Sequence, residues 1–344
     1  MDSQIALMLA QDGLVNGAVY GLMALALVLV FSVTRVIFIP QGEFVAYAAL
    51  AMAALQAGQF PAIVWMLLVM AGATLVVEGW RHLRGARVAW GATLVWAVAL
   101  PLLALGLVWG LKPTSQVGQI VAVLALIVPM GPLVYRLAFR PLAQGTVLLL
   151  LIASVALHLA MVGLGLFFFG AEGSRTAPMS EARWNLGGIP VSGQSLVVIG
   201  AAIVLVIVMF LFFERSIVGK ALRATAINRT GARLMGISAD LAGKLCFTLS
   251  ALVGAFSGIL IAPITTIYYD TGFLVGLKGF VGAIIGGLVS YPLAAAGAVL
   301  VGLLESYSSF YASAYKEVIV FTLIIPVLLY QSLTTKHIDD EEDH

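Results

Sequence analysis

Residues 13–49 read GLVNGAVYGLMALALVLVFSVTRVIFIPQGEFVAYAA and contain two long apolar runs separated by a short break. The break carries Arg35, and the second run contains one charged residue, Glu43. A helix needs about 20 apolar residues to cross a bilayer core of roughly 30 Å. The stretch therefore predicts two membrane helices, near 12–33 and 36–57.

The same pattern recurs along the rest of the 344-residue chain, which is 62% hydrophobic and only 10% charged. Nine further apolar segments lie near 61–80, 88–110, 117–138, 146–170, 194–213, 242–263, 273–290, 293–311 and 316–334. This composition excludes an ordinary soluble protein, and the absence of alternating ten-residue strands favours helices over a membrane barrel. We predict an all-α fold, a polytopic transmembrane helical bundle of about 9–11 membrane segments forming one domain over 1–344.

The ninth segment differs from the others because it is rich in glycine. It reads VGLKGFVGAIIGGLVSYP, carries Lys278 and ends at Pro292. It is either a full span, or a broken or re-entrant element packed inside protein, where an irregular backbone can still be hydrogen-bonded.

The basic residues predict an orientation, since Lys and Arg concentrate in short cytoplasmic loops. If the polar loop 214–241 is cytoplasmic, thirteen basic residues fall inside: Arg35, Arg81, Arg84, Arg87, Arg136, Arg140, Arg215, Lys220, Arg223, Arg229, Arg233, Lys244 and Lys336. Only four fall outside: Lys112, Arg175, Arg183 and Lys316. This asymmetry predicts an external N-terminus and a cytoplasmic C-terminus. The acidic tail 335–344 is then a solvated cytoplasmic end.

Several kinds of chemistry have no sequence support. The chain has no GxxxxGK[ST] phosphate loop and no Ser/His/Asp set. It has one cysteine, and its four histidines do not have the spacing of metal ligands. The net charge of +2 gives no indication of nucleic-acid binding. We therefore expect no enzyme, no metal site and no cofactor on this chain.

The loop between the seventh and eighth segments contains GKALRATAINRTGARLMGIS at 219–238. Its spacing predicts a helix of about four turns, bracketed by Gly219 and Gly236. One face carries small residues four apart: Ala224, Asn228, Ala232 and Gly236. A parallel basic row carries Arg223, Arg229 and Arg233. Two interpretations follow. Such a face allows a partner protein with carboxylates to dock closely. Alternatively, the basic residues only fix the topology and contact anionic lipid.

This loop resembles the cytoplasmic loop of the permease subunits of branched-chain amino acid ABC transporters. The matching positions are Gly219, Ala221, Arg223, Ala224, Ala226, Asn228, Ala232, Leu234, Gly236 and Ile237. In that family the loop docks as a short coupling helix on a separate nucleotide-binding subunit. The resemblance therefore implies that ATP and Mg are held by partner chains.

Two further stretches, 13–49 and 274–325, are similar to the same family. Gln41 stands where the family commonly has His, and Pro40 where it has Ala, a departure that bears on substrate identity. The stretch 75–130 does not match and adds a helix pair.

The resemblance implies a permease subunit in the inner membrane of a bacterium. It would import branched-chain or other hydrophobic amino acids, or a small amide such as urea. Its partners would be ABC ATPase subunits, a solute-binding protein, and a homologous permease or a second copy of itself. The rival hypothesis is a self-sufficient secondary transporter or channel.

Four polar residues at or beside membrane depth are candidates for the translocation path or its gating: Gln41, Glu43, Lys278 and Glu305. Ionisable groups in membrane segments are costly and usually face a cavity or a partner. The alternative is a structural ion pair, for example Glu43 with Lys278, that fixes helix register. His158, alone on an apolar segment, is interpreted as a packing histidine.

Overall fold

A computed structural model describes residues 3–85, 88–110, 114–186 and 189–334. Within these ranges nine helices are long and apolar enough to cross a membrane. Two shorter helices, Gln41–Gln56 and Thr271–Ile285, complete the set. Each of the eleven predicted segments thus contains a helix, which confirms the polytopic all-α fold. The acidic tail 335–344 and the basic residues Arg87, Lys112 and Lys336 lie outside the described residues.

The elements follow one another through short connections. In chain order they are α1 Ser3–Thr34, α2 Gln41–Gln56, α3 Ile63–Leu83, α4 Trp90–Trp109, α5 Gln116–Leu142, α6 Val147–Phe169, β1 Arg183–Leu186, β2 Ile189–Ser192, α7 Gly193–Arg215, α8 Ile217–Ile227, α9 Arg229–Leu234, α10 Ala239–Ile261, α11 Thr271–Ile285, α12 Tyr291–Tyr311 and α13 Ser313–Leu333. The two strands form one antiparallel hairpin in which Trp184 lies opposite Val191.

Small residues allow α1 and α12 to cross in close contact. A Cβ added to Gly17 would lie 2.8 Å from the Cα of Val299, and one added to Gly302 would lie 2.4 Å from the carbonyl oxygen of Gly13. Neither distance leaves room for a methyl group. Because lipid tails are as apolar as the side chains, helices in membranes associate through such close backbone packing.

The connection between α1 and α2 is not helical, contrary to the prediction of a helix from residue 36. Residues 35–40 form a tight non-helical loop that begins with Arg35 at a φ of 61° and ends at Pro40. Ser154 on α6 is a hydrogen-bond acceptor for this loop, since the backbone N–H of Ile39 donates to Ser154 Oγ at 2.9 Å. With 16 residues, α2 is about 24 Å long and is therefore shorter than the bilayer core.

The ninth segment is also short, and this resolves the alternative left open by the sequence. Its helix α11 has 15 residues, about 22 Å, and is followed by an irregular turn with Gly287 and Leu288 at positive φ. Its first turn meets the first turn of α2. A Cβ added to Gly42 would lie only 1.8 Å from the carbonyl oxygen of Gly272. The segment is thus an interrupted helix packed inside the protein.

The loops on one side of the bundle are tied together. Ser174 and Ile267 form an isolated antiparallel bridge, and Arg175 donates to the carbonyls of Pro263 and Ile264 at 2.9 and 2.8 Å. The end of α2 joins them, because the backbone N–H of Ala177 donates to the Gln56 side chain at 2.8 Å. These contacts define one end of the molecule, and α7 runs from it to the loop 214–241 at the other end.

The crossing of α1 and α12 gives a direct test of the packing. Gly302→Ala should lower the melting temperature and the yield of monodisperse protein in detergent. The free energy of unfolding should fall by about 1–3 kcal/mol, the usual cost of overpacking. Gly200→Ala on α7 is the matched control, because an added Cβ there has no atom within 4 Å. Equal melting temperatures for the two variants would contradict the close crossing.

Candidate translocation and coupling sites

The start of α2 brings polar side chains to the middle of the bundle. His158 and Ser154 lie near the midpoint of α6, and Ser250 lies near the midpoint of α10. All three contact the segment from Ile39 to Glu43. Because α2 starts at this level, its first-turn residues Gln41 and Glu43 are placed at the depth of these midpoints.

Glu43 is fully buried and faces the imidazole of His158. The Nδ1 atom of His158 lies 3.0 Å from Oε1 of Glu43. This is an ion-pair contact by distance, but within the described residues neither carboxylate oxygen has a hydrogen bond of good geometry. The other side of the imidazole stacks on Phe273, with ring centroids 4.6 Å apart. The pair is close in space but incompletely satisfied.

Gln41 is also fully buried, and in contrast its side chain is well paired. Its Nε2 donates to the carbonyl of Ser250 at 3.0 Å, and Ser250 Oγ donates back to its Oε1. These reciprocal bonds join the first turn of α2 to α10. Gln41 therefore has a positioning role in the structure.

Lys278 and Glu305 form a second cluster on α11 and α12. The Lys278 ammonium donates to Oε1 of Glu305 and, at 3.2 Å, to Oε1 of Glu317. The phenol of Tyr20 donates to the other oxygen of Glu305 at 2.5 Å. Four helices, α1, α11, α12 and α13, are thus joined around one buried ammonium.

The four candidate path residues therefore lie in two clusters. The suggested pairing of Glu43 with Lys278 is wrong, because Glu43 faces His158 while Lys278 binds Glu305 and Glu317. Sequence reasoning also missed His158 as a partner. The signal available was that both residues are isolated ionisable groups on otherwise apolar segments, and such groups usually pair with one another.

The coupling loop contains two short helices where the sequence predicted one. Asn228 breaks the helix with φ −144° and ψ 99°, and its side chain caps α9 by accepting from the N–H of Gly231 at 2.7 Å. Asparagine competes for backbone bonds in this way at helix starts. The predicted end at Gly236 is confirmed by its φ of 81°. Ser238 caps the next helix, since the backbone N–H of Leu241 donates to its Oγ.

The break changes which residues of the loop are exposed. Ala232 is 5% exposed, so the predicted flat face of small residues four apart does not exist as one surface. Ala224 and Arg229 are half-buried, and the exposed members of the predicted set are Arg223, Asn228, Arg233 and Gly236. Large apolar side chains project instead: Ile227, Leu234 and Met235 are 86%, 84% and 83% exposed.

Apolar side chains on α8 fix the loop to the bundle, and Leu222 is the buried one among them. Leu222 is buried in a small cluster with Leu29 and Val33 of α1 and Ala242 and Cys246 of α10. A displacement of α8 is therefore passed directly to two central helices.

Ion pairs connect the helix after the loop to the added segment. Arg140 at the end of α5 pairs with Glu78 of α3 and, at 2.9 Å, with Asp240 in the first turn of α10. Glu78 also contacts Arg81 at 3.3 Å. Nearby, the buried guanidinium of Arg136 donates to Thr93 of α4 at 3.1 Å. The stretch 75–130 is thus linked to the start of α10.

Interrupted helices inside the bundle and buried ionisable groups at their breaks define a multi-pass membrane protein of the transport class. A family model described as "Branched-chain amino acid transport system / permease component" matches residues 9–328. The chain belongs to this family.

Individual relatives agree with the family match. The permease protein LivH of the high-affinity branched-chain amino acid transport system of Escherichia coli K12 is 30% identical over 241 residues, covering 67% of this chain and 76% of that protein. The corresponding protein BraD of Pseudomonas aeruginosa is 26% identical over 226 residues, covering 64% and 74%. A solved structure, PsaBC from Streptococcus pneumoniae in complex with Fab, covers 94% of this chain with 14% identity and a TM-score of 0.40, too low to support a conclusion.

Lys278 gives a test of the second cluster. Lys278→Met leaves the buried Glu305 and the half-buried Glu317 near each other without this cation. We expect a loss of about 3–5 kcal/mol in stability, the usual cost of breaking a buried pair. The measurement is thermal unfolding in detergent. The double variant Lys278→Met, Glu305→Gln removes one uncompensated charge and should recover part of the loss. No recovery would mean that the ammonium does not stabilise the fold through Glu305.

Proposed function

We propose that this chain is the membrane-spanning permease subunit of an ATP-binding cassette importer for branched-chain or other hydrophobic amino acids. It forms half of the pore and pairs with a homologous permease or with a second copy. A solute-binding protein delivers substrate at the outer face, where the loops 171–195 and 264–272 contact it. ATPase subunits, which hold ATP and Mg, dock at the loop 214–241.

The observation that carries the proposal is the surface of the coupling loop. Ile227, Leu234 and Met235 project from a short polar segment that lies between two spans, and Arg233 lies beside them. Apolar side chains rimmed by arginine are typical of protein interfaces. The family match supports an ATPase as the partner.

The contacts below this surface suggest how a docked ATPase would act on the pore. A displacement of α8 would move Leu222 and, with it, the helices α1 and α10. A displacement of α9 would be transmitted to α10 through the short turn before Asp240, which pairs with Arg140. Closure of the ATPase dimer would thus move the helices that surround Gln41 and Glu43. Access to the interior would then alternate between the two ends.

Removing the apolar surface tests the docking. Leu234→Asp combined with Met235→Asp should reduce capture of the co-expressed ATPase subunits by roughly tenfold or more, since buried anchors dominate interface energy. The assay is affinity purification of the permease followed by quantification of bound ATPase. Trp184→Asp, exposed at the opposite end, is the control and should leave capture unchanged.

Undiminished capture with both aspartates would remove the support for this docking surface. A permease that never associates with an ATPase but still transports would instead favour a self-sufficient secondary transporter, for which the Glu43–His158 pair at mid-depth would be a candidate ion-coupling site.

Labelling of introduced thiols tests the orientation. The sole cysteine of the sequence, Cys246, is fully buried and gives little background. With an external N-terminus, the Trp184→Cys variant should react with a membrane-impermeant maleimide in intact cells. The Leu234→Cys variant should react only after the membrane is opened. The reverse pattern would invert the proposed topology.

A further inference from the structure

A cavity of about 260 Å³ lies against the irregular stretch 35–40. Its walls are apolar and include Ile39, Leu151, Phe273, Leu277 and Phe280. Irregular backbone at membrane depth is tolerated only where it is buried in protein or lines a cavity. The interruption between α1 and α2 therefore forms part of a chamber, and the chamber is between α6 and α11.

Phe273 separates this cavity from the Glu43–His158 pair. One face of its ring stacks on the His158 imidazole at 4.6 Å and 29°, and the same residue forms a wall of the cavity. Phe273 is only half-buried. Its ring is therefore shared by the apolar cavity and the buried pair.

The pair itself has unused bonding capacity. Glu43 is 0% exposed, and within the described residues neither of its oxygens has a hydrogen-bond partner of good geometry. The same holds for Nδ1 of His158. Buried polar groups are nearly always hydrogen-bonded, and an unsatisfied one is costly. Here an acceptor, the Glu43 carboxylate, and a ring nitrogen of His158 lie side by side without hydrogen bonds of good geometry. This arrangement indicates a site that is completed by a ligand.

We propose that Glu43, His158 and this cavity together hold a zwitterionic aliphatic amino acid during its passage. The Glu43 carboxylate accepts from the substrate ammonium, and the His158 imidazole N–H donates to the substrate carboxylate. The aliphatic side chain occupies the cavity beyond Phe273. The inference rests on the proposed function and identifies residues that would select the substrate.

The chemistry of the site distinguishes two substrate classes. A zwitterion supplies an ammonium to the Glu43 carboxylate and a carboxylate to the His158 N–H, so each member of the pair gains a partner when substrate replaces the direct contact. A neutral amide such as urea supplies no charge and has no chain to fill the cavity. The cavity volume of about 260 Å³ is slightly smaller than the roughly 300–1,000 Å³ typical of pockets for drug-sized ligands. This volume suits a single small aliphatic side chain.

Competition binding tests the charge requirement. The full complex with its ATPase subunits is placed in nanodiscs, and displacement of radiolabelled leucine is measured. Leucinamide lacks the carboxylate, 4-methylpentanoate lacks the ammonium, and urea lacks both. Each should compete about tenfold less well than leucine or worse, because it loses a charge-assisted hydrogen bond. Equal competition by leucinamide or urea would overturn the proposal.

Variants test the residues. Glu43→Gln and His158→Gln should each weaken leucine binding roughly tenfold or more. His82→Gln is the control, since this imidazole is exposed at the end of α3, outside the proposed docking and substrate sites. Leu277→Ala enlarges the cavity without touching the pair and should shift preference from leucine toward phenylalanine. If Glu43→Gln does not assemble, unchanged selectivity of Leu277→Ala still overturns the proposal.

The two levels of inference fail in different ways. If the wild-type chain does not capture ATPase subunits, the proposed function fails. If capture is normal and Glu43→Gln binds leucine as the wild type does, only the substrate site fails.

Discussion

The close contact between Gly42 and Gly272 is the constraint on which the interior depends. No side chain fits between the first turns of α2 and α11, because an added Cβ would meet backbone at 1.8 Å from one side and 2.3 Å from the other. Both short helices can therefore start at the same place inside the bundle. Their start brings Gln41 and Glu43 to the midpoints of α6 and α10, where an uninterrupted helix would have placed them nearer a membrane surface.

The sequence predicted the helical segments well because each depends only on local composition. All eleven segments contain a helix, and small residues such as Gly17 and Gly302 do lie where helices cross. The break at 35–40 could not be predicted this way. Its residues include Ile37, Phe38 and Ile39, which read as helix, and its backbone partner Ser154 is 115 residues away from Ile39 in the chain.

The candidate site was predicted in part, for a similar reason. Glu43, Lys278 and Glu305 were recognised because charges are rare in apolar segments, yet their partners are set by packing between distant helices. The coupling loop shows a different limit. Four-residue spacing indicated one helix, but the Asn228 side chain caps a new helix at Gly231, and this local hydrogen bond overrides the periodicity.

The two buried ionic clusters differ in how fully their groups are satisfied. Lys278 has two carboxylate partners, and Glu305 has hydrogen bonds at both oxygens. Within the described residues, only Oε2 of Glu317 in this cluster lacks a hydrogen bond. A network of this kind holds helices in register, and removing one member leaves the others buried without a partner. Within the described residues, Glu43 and His158 form an ion-pair contact, but neither Glu43 oxygen nor Nδ1 of His158 has a hydrogen bond of good geometry. This difference supports the proposed substrate role of the pair and a structural role for the Lys278 cluster.

The bond between Arg136 and Thr93 limits how this protein could be shortened. Arg136 is 3% exposed, and Thr93 lies on α4, inside the stretch that does not resemble the family pattern. Trimming that stretch to obtain a minimal permease would leave a guanidinium in the interior without this acceptor. It would also disturb Glu78, on which Arg140 depends. The added helices thus supply partners to two arginines of the bundle. A shortened protein would therefore need substitutions at both Arg136 and Arg140.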